Sequence, residues 1–214
     1  GTSTLTNQDG TLNDCRVRDL VRQMAHLREQ GKQVVFVTSG AVGAGMGALH
    51  LVEKPKRIPQ KQALAAVGQG LLMQQYEKCF ADYGYLVAQI LLTRDDFSQR
   101  ERYLNFRNTL SAVLKYGAVP IINENDTVAF EEIKFGDNDT LAAMMAGALG
   151  ADLLILLSDV DGLYSANPQK DPQAVKIAMV PEVNESIMAL AGEAGSKFGS
   201  GGMITKITAA SIAS

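Results

Sequence analysis

The chain predicts an α/β fold, a three-layer α/β/α sandwich with a mostly parallel central sheet. Strand-like apolar runs alternate with helix-like runs from end to end. Two of the strand-like runs, Gln33 to Thr38 (QVVFVT) and Asp152 to Leu157 (DLLILL), are nearly continuously apolar, as strands covered on both faces are. Short polar residues follow these runs directly, where ligands bind in open parallel sheets.

Each element has its own signal. Asp14 to Gln30 places Val17, Leu20, Val21, Met24 and Leu27 on one helical face, and Gly31 supplies a stop. Gln33 to Thr38 is read as the first strand, Ser39-Gly40 as a turn and Ala41 to Leu49 as a helix of small residues. After a loop from Lys54 to Pro59, Lys61 to Tyr83 predicts a long helix, with Gly68 and Gly70 as candidate kinks. Leu86 to Leu92 is the second strand. Glu101 to Tyr116 is a helix with Tyr103, Phe106, Leu110, Val113 and Leu114 inward, ended by Gly117. Val119 to Ile122 is the third strand, and Asp139 to Leu149 a helix led by polar capping residues. Asp152 to Leu157 is the expected fourth strand, Ala174 to Val180 a short edge strand and Met203 to Ala213 the last helix. Ser39, Asn123 to Asp126, and Ser158-Asp159 are thereby expected to converge at one edge of the sheet.

Composition narrows the function. The 214 residues, 46% hydrophobic and 20% charged, suit one domain with a real core. A net charge of −3 argues against a basic nucleic-acid footprint, and the lack of Trp weakens base stacking. Cys15 and Cys79 match no metal spacing and read as free thiols in a reducing compartment. No apolar run approaches the ~18 residues of a membrane span, and no signal peptide is visible, so a cytoplasmic location is expected.

The densest chemical signal runs from Ile121 to Ala143 (IINENDTVAFEEIKFGDNDTLAA). Asn123, Glu124, Asn125, Asp126, Asp137, Asn138 and Asp139 lie between an apolar strand-like run and an apolar helix-like run. A free amino acid needs carboxylates and amide oxygens around its ammonium group, and Asp126 and Asn138 have that chemistry. The bland reading, turns rich in Asn and Asp, covers one such cluster better than two joined by a loop. Hard Mg²⁺ also favours oxygen ligands. Ser200-Gly201-Gly202-Met203-Ile204-Thr205-Lys206 offers flexible backbone, a helix start and a cation, the elements of a phosphate cradle. It is not a Walker A loop, and Gly-Gly before a helix is common. Thr38-Ser39-Gly40-Ala41 can hold a carboxylate or phosphate, though alone it reads as an ordinary cap. Ser158-Asp159 precedes Val160-Asp161-Gly162-Leu163-Tyr164, and Asp159 can hold a ribose hydroxyl or simply end a strand. Gly43-Ala44-Gly45-Met46-Gly47-Ala48 fits a permissive dinucleotide fingerprint, but its glycines lie too far past the strand, and packing explains them better. An amine-binding cluster and a phosphate cradle in one chain point to a kinase for an amino acid.

In these residues together, the chain resembles the amino acid kinase family along essentially its whole length. The motifs are GTS at Gly1, VTSGA at Val37, INEND at Ile122, FGDNDTLAA at Phe135, LSDVDGLY at Leu157 and GGMITK at Gly201. INEND with GDND is specific to the glutamate-phosphorylating branch. The resemblance implies ATP-dependent phosphorylation of the L-glutamate γ-carboxylate, the first step of proline synthesis. It implies that Ser39, Asp126 and Asn138 bind glutamate. Ser158, Asp159 and the loop from Ser200 through Gly201, Gly202, Met203, Ile204 and Thr205 to Lys206 would bind the nucleotide. Lys206 would stabilise the transferring phosphoryl, and Asp139 would organise the catalytic lysines. ATP with Mg²⁺, proline as feedback inhibitor and a homo-oligomer follow from the same resemblance, with no dedicated metal ligands. Family members carry a first strand ending in a lysine before the Gly-Thr-Ser turn and extend beyond Lys206. The expectation is therefore one kinase domain over 1–214, shortened at both ends and without a PUA domain.

Two rivals remain. One is a family relative acting on another acid or phosphate acceptor, against which Asp126 and Asn138 speak. The other is a module that binds glutamate or proline without turnover.

Overall fold

The computed structural model describes residues 5–7, 11–51, 53, 55–129, 137–158, 160–168, 171–193 and 202–214. They fall into two compact units, residues 2–135 and residues 136–214 with Gly1.

The first unit is organised around a parallel sheet in the order β1–β3–β2, with β1 at Phe36–Val37, β2 at Val87–Leu92 and β3 at Val119–Glu124. The central position of β3 explains its burial: Val119, Ile121 and Ile122 are fully buried. Val37 pairs with Ile122, and Leu91 with Asn123. Thr38, one residue past β1, is therefore level with Asn123, and its backbone N–H donates to Ile122 O at 2.9 Å.

Helix α1 (Asp14–Glu29) starts where Asn13 Oδ1 accepts from the Arg16 N–H at 3.0 Å. Val17, Val21 and Met24 are buried as expected, while Leu27 is 37% exposed. They join Leu72, Tyr76 and Phe80 of the long helix α3 (Ile58–Ala81) and Val119 and Ile121 of β3 in the core. Between them in sequence lies α2 (Ala41–Ala48), entered through Gly40 at φ +105°. The short α4 (Arg94–Ser98) is closed by a capping box between Thr93 and Asp96. It leads into α5 (Arg100–Lys115), whose Phe106 packs its ring on Phe97 and Tyr103.

In the second unit, α8 (Met203–Ala213) packs on α6 (Asn138–Leu149) and α7 (Glu185–Glu193). Leu141, Ala143, Met145, Ile207 and Ala209 are buried there. Asp137 caps α6 by accepting from the Thr140 N–H at 2.8 Å, and Gly150 at φ +61° ends it.

Several sequence expectations are corrected. The first strand is two residues long rather than the six from Gln33 to Thr38, because only Phe36 and Val37 enter the ladder with β3. The third strand runs on to Glu124, so the polar cluster begins inside the sheet. The expected fourth strand at Asp152–Leu157 is not formed: no described residue pairs with it, and without a partner ladder its backbone groups have no reason to be extended. Leu153, Ile155 and Leu157 are 74%, 61% and 51% exposed. The expected edge strand at Ala174–Val180 contracts to a bridge between Tyr164 and Lys176. Helix α3 runs without interruption through Gly68 and Gly70, the candidate kinks. Cys15 and Cys79 are free thiols, and no described helix is long and apolar enough to cross a membrane.

Candidate functional site

Each unit carries part of the predicted site. In the first, the ends of β1 and β3 bring Thr38-Ser39 and Asn123–Asp126 to one level of the sheet. The hydroxyl pair Thr38 Oγ1 and Tyr76 OH, 2.8 Å apart, anchors the end of β1 to α3. Burial pushes the Tyr76 phenol well above the usual tyrosine range, so this contact is between neutral hydroxyls at any ordinary pH. Gly40 adopts a left-handed conformation that a side chain would strain, which lets the chain turn sharply after Ser39 into α2.

At the end of β3, Asn123 is 3% exposed. Its Oδ1 accepts from the Glu124 N–H at 2.9 Å, and its Nδ2 donates to Gln69 Oε1 at 2.9 Å. The chain then turns. Asn125 N–H donates to Leu92 O at 2.8 Å, and Asn125 O accepts from the Val128 and Ala129 N–H groups. Asp126 is half-buried within this turn. Ser39 and Asp126, both expected to bind the acceptor, thus sit on the carboxyl ends of β1 and β3.

In the second unit, Asn138 and Asp139 open α6, and Lys206 lies one turn into α8. Lys206 Nζ donates to both oxygens of Asp139, at 2.9 and 3.1 Å. Thr205 Oγ1 also lies 2.9 Å from Asp139 Oδ2 and 2.8 Å from Gly202 O. Asp139 and Lys206 are each only 19% exposed, so the pair is much less screened than a surface ion pair. Among the described residues no side chain caps the start of α8, and a helix start of this kind suits an anion. Gly202, Met203, Ile204, Thr205 and Lys206 form this helix start.

Ser158 is exposed, and its Oγ accepts from the Val160 N–H at 3.4 Å. Asp159, Ser200 and Gly201, expected to contact nucleotide, lie outside the described residues. In the following turn, Asp161 accepts from Lys176 Nζ and Tyr164 OH, each at 2.9 Å. The hydrogen bond from Lys176 holds the Asp161 carboxyl below the usual range. Among the described residues, no cluster of three His, Cys, Asp or Glu side chains is placed to hold a metal ion.

Gln69 and Tyr76 are site residues that the sequence does not single out. Gln69 and Tyr76 lie seven positions apart on α3, two turns and so one face, which is a signal a helical projection contains. Thr205 belongs to the expected phosphate loop, and nothing local in the sequence signals its bond to Asp139, 66 residues away.

The amino acid kinase family model matches residues 1–214. The chain is 59% identical over 213 residues to the protein named glutamate 5-kinase from Clostridium acetobutylicum, covering all of this chain and 80% of that one. It is 60% identical over 213 residues to glutamate 5-kinase from Moorella thermoacetica and 58% identical over 212 residues to that from Caldanaerobacter subterraneus. It spans only 56% and 57% of those two proteins' lengths. A solved structure described as T. acidophilum isopentenyl phosphate kinase product complex matches with TM-score 0.55 at 19% identity, covering 82% of this chain and 74% of that one. At that identity the likeness concerns the fold alone. The chain belongs to the amino acid kinase family.

Proposed function

We propose that the protein transfers the γ-phosphoryl group of ATP to the γ-carboxylate of L-glutamate, giving γ-glutamyl phosphate and ADP, the first step of proline synthesis. The observation that carries this reading is the partly buried Asp139–Lys206 pair at the start of α8, in a chain 59% identical to a glutamate 5-kinase. A carboxylate is already a nucleophile at neutral pH, so no general base is required. The work left to the protein is positioning and charge neutralisation. Asp139 holds Lys206 by two hydrogen bonds, and Thr205 braces the same carboxylate. A lysine fixed in this way is a preorganised donor for the oxygens of the moving phosphoryl group. The N–H groups that open α8 suit the remaining phosphate oxygens.

Mg²⁺ is proposed to enter with the nucleotide, where it would offset the charge of the β- and γ-phosphates. Both oxygens of Asp139 are engaged by Lys206 and Thr205, which agrees with an ion held by phosphates rather than by that carboxylate. Ser158, with Asp159, is assigned to the nucleotide, and Ser39, Asp126 and Asn138 to glutamate. A cytoplasmic, homo-oligomeric enzyme is proposed with them.

The direct test is phosphoryl transfer from labelled ATP across candidate acceptors: glutamate, aspartate, acetylglutamate, uridylate and isopentenyl phosphate. Glutamate should be strongly preferred, and preference for any other acceptor overturns the reading. Asp126→Ala should raise the glutamate KM by tenfold or more while leaving the ATP KM within about twofold, because the bound ammonium loses its counter-charge. Equal shifts for both substrates would remove Asp126 from the acceptor site. Proline shares an ammonium and a carboxylate with glutamate and is proposed as a feedback inhibitor at the loop between Asn123 and Ile133. Changes at Asn123, or at Glu132 outside the described residues, should alter proline sensitivity more than kcat. Proline should displace glutamate in equilibrium dialysis; simultaneous binding of both would separate the sites.

A further inference from the structure

Among the described residues, one buried side-chain donor of the first unit has no hydrogen-bond partner. Gln69 is 8% exposed, its Nε2 is buried, and no hydrogen-bond acceptor meets it. Buried donors are nearly always satisfied, so an orphan of this kind asks for an explanation. Reversing the amide does not remove it. The Glu124 backbone N–H can only donate, so the Asn123 atom it meets at 2.9 Å must be the oxygen Oδ1. Asn123 Nδ2 is then the donor toward Gln69, and the Gln69 atom 2.9 Å away must be the acceptor Oε1. The backbone at the end of β3 thus orients two carboxamides in series, and the series ends on an unmatched N–H₂.

Its location is informative. Gln69 hydrogen-bonds Asn123, which is level with Thr38 at the carboxyl ends of β1 and β3, next to Ser39 and ahead of Asp126. A donor cannot serve the ammonium of an amino acid; it needs an anionic or carbonyl oxygen. We propose that Gln69 is a specificity residue for the acceptor, whose Nε2 hydrogen-bonds a carboxylate oxygen of the bound amino acid. Asp126 takes the ammonium and Gln69 the carboxylate, so the two together select an α-amino acid. Because Nε2 lies beneath the surface, binding requires the side chain to turn toward the ligand. Among the described residues, its hydrogen bond to the rest of the unit runs through Oε1. The inference rests on the proposed glutamate kinase activity.

The test uses the full-length protein, with wild-type turnover on glutamate measured first. Absence of that turnover removes the proposed function and this inference with it. Given turnover, Gln69→Glu keeps the acceptor that Asn123 needs and deletes the donor. Its glutamate KM and calorimetric Kd should rise about tenfold to a hundredfold, with the ATP KM within about twofold. Gln69→Met should show the same split and serves if the glutamate variant does not fold. Independently, the Gln69 side-chain N–H₂ resonances, assigned by their loss in the variants, should shift when wild-type protein is saturated with glutamate. An unchanged glutamate KM, equal losses for both substrates, or resonances that ignore glutamate would each overturn the proposal and leave the donor to a buried water.

Discussion

Lys206→Ala is expected to lower kcat by about 10²- to 10³-fold, the usual loss when one preorganised donor to a developing charge is removed. The glutamate KM should stay within about twofold, because the group acts where charge develops rather than where the acceptor is gripped. The side chain is 19% exposed and makes two bonds to Asp139, so its loss also strands a partly buried carboxylate that, among the described residues, keeps Thr205 as its hydrogen-bond donor. Asp139→Asn should therefore recover part of the stability lost by Lys206→Ala without recovering rate, and the two changes should not add. Lys176→Ala in the same unit is the control. Its pair with Asp161 is 47% and 69% exposed, and an ion pair that open contributes little. Steady-state kinetics on the four variants decide the matter: a Lys206→Ala enzyme within threefold of wild-type kcat would remove the phosphoryl-stabilising role.

The alternation of apolar strands and helices was legible because buried parallel strands are written as short continuous apolar runs. Val119–Ile122 and Leu86–Leu92 both became strands in the ladder. The run at Asp152–Leu157 carries the same signal yet forms no strand among the described residues, because a strand also depends on a partner that its own sequence does not specify. The site divides in a similar way. Ser39 and Asn123–Asp126 could be placed at strand ends from local pattern alone. The Asp139–Lys206 pair joins residues 67 positions apart, and only likeness to a family suggested it. A helical projection puts Gln69 on the face of Tyr76, but a glutamine there points to no chemistry until its neighbour Asn123 is known. Gly68 stands out in the sequence, but its part in the packing does not. A glycine inside a helical pattern fits either a kink or a close backbone approach, and sequence does not separate the two.

Gly68→Ala should be the most damaging single methyl in the first unit. A Cβ built there would lie 1.8 Å from Ala41 O and 2.4 Å from Gly45 N, both backbone atoms that cannot rotate away. The facing glycine is equally tight, since a Cβ on Gly45 would lie 2.1 Å from Leu64 O. Helices α2 and α3 therefore meet backbone to backbone, and one added methyl must drive them apart. Overpacking of this kind costs about 1–3 kcal/mol or more, which corresponds to a fall in Tm of roughly 3–10 °C for a unit of this size. Gly70→Ala, two residues along the same helix, meets nothing within 4 Å. It should stabilise the protein by about 0.5–1 kcal/mol, the ordinary gain of alanine over glycine in a helix. The opposite signs separate packing from helix propensity, and calorimetric melts of the two variants are sufficient to read them. The damage should also reach the site. Helix α2 begins directly after the Ser39-Gly40 turn, so displacing it from α3 moves Ser39 away from Asn123 and Asp126. The fraction of Gly68→Ala protein that still folds should accordingly bind glutamate more weakly than wild type. If it melts with wild-type Tm and binds glutamate normally, the close crossing of α2 and α3 is not what positions Ser39.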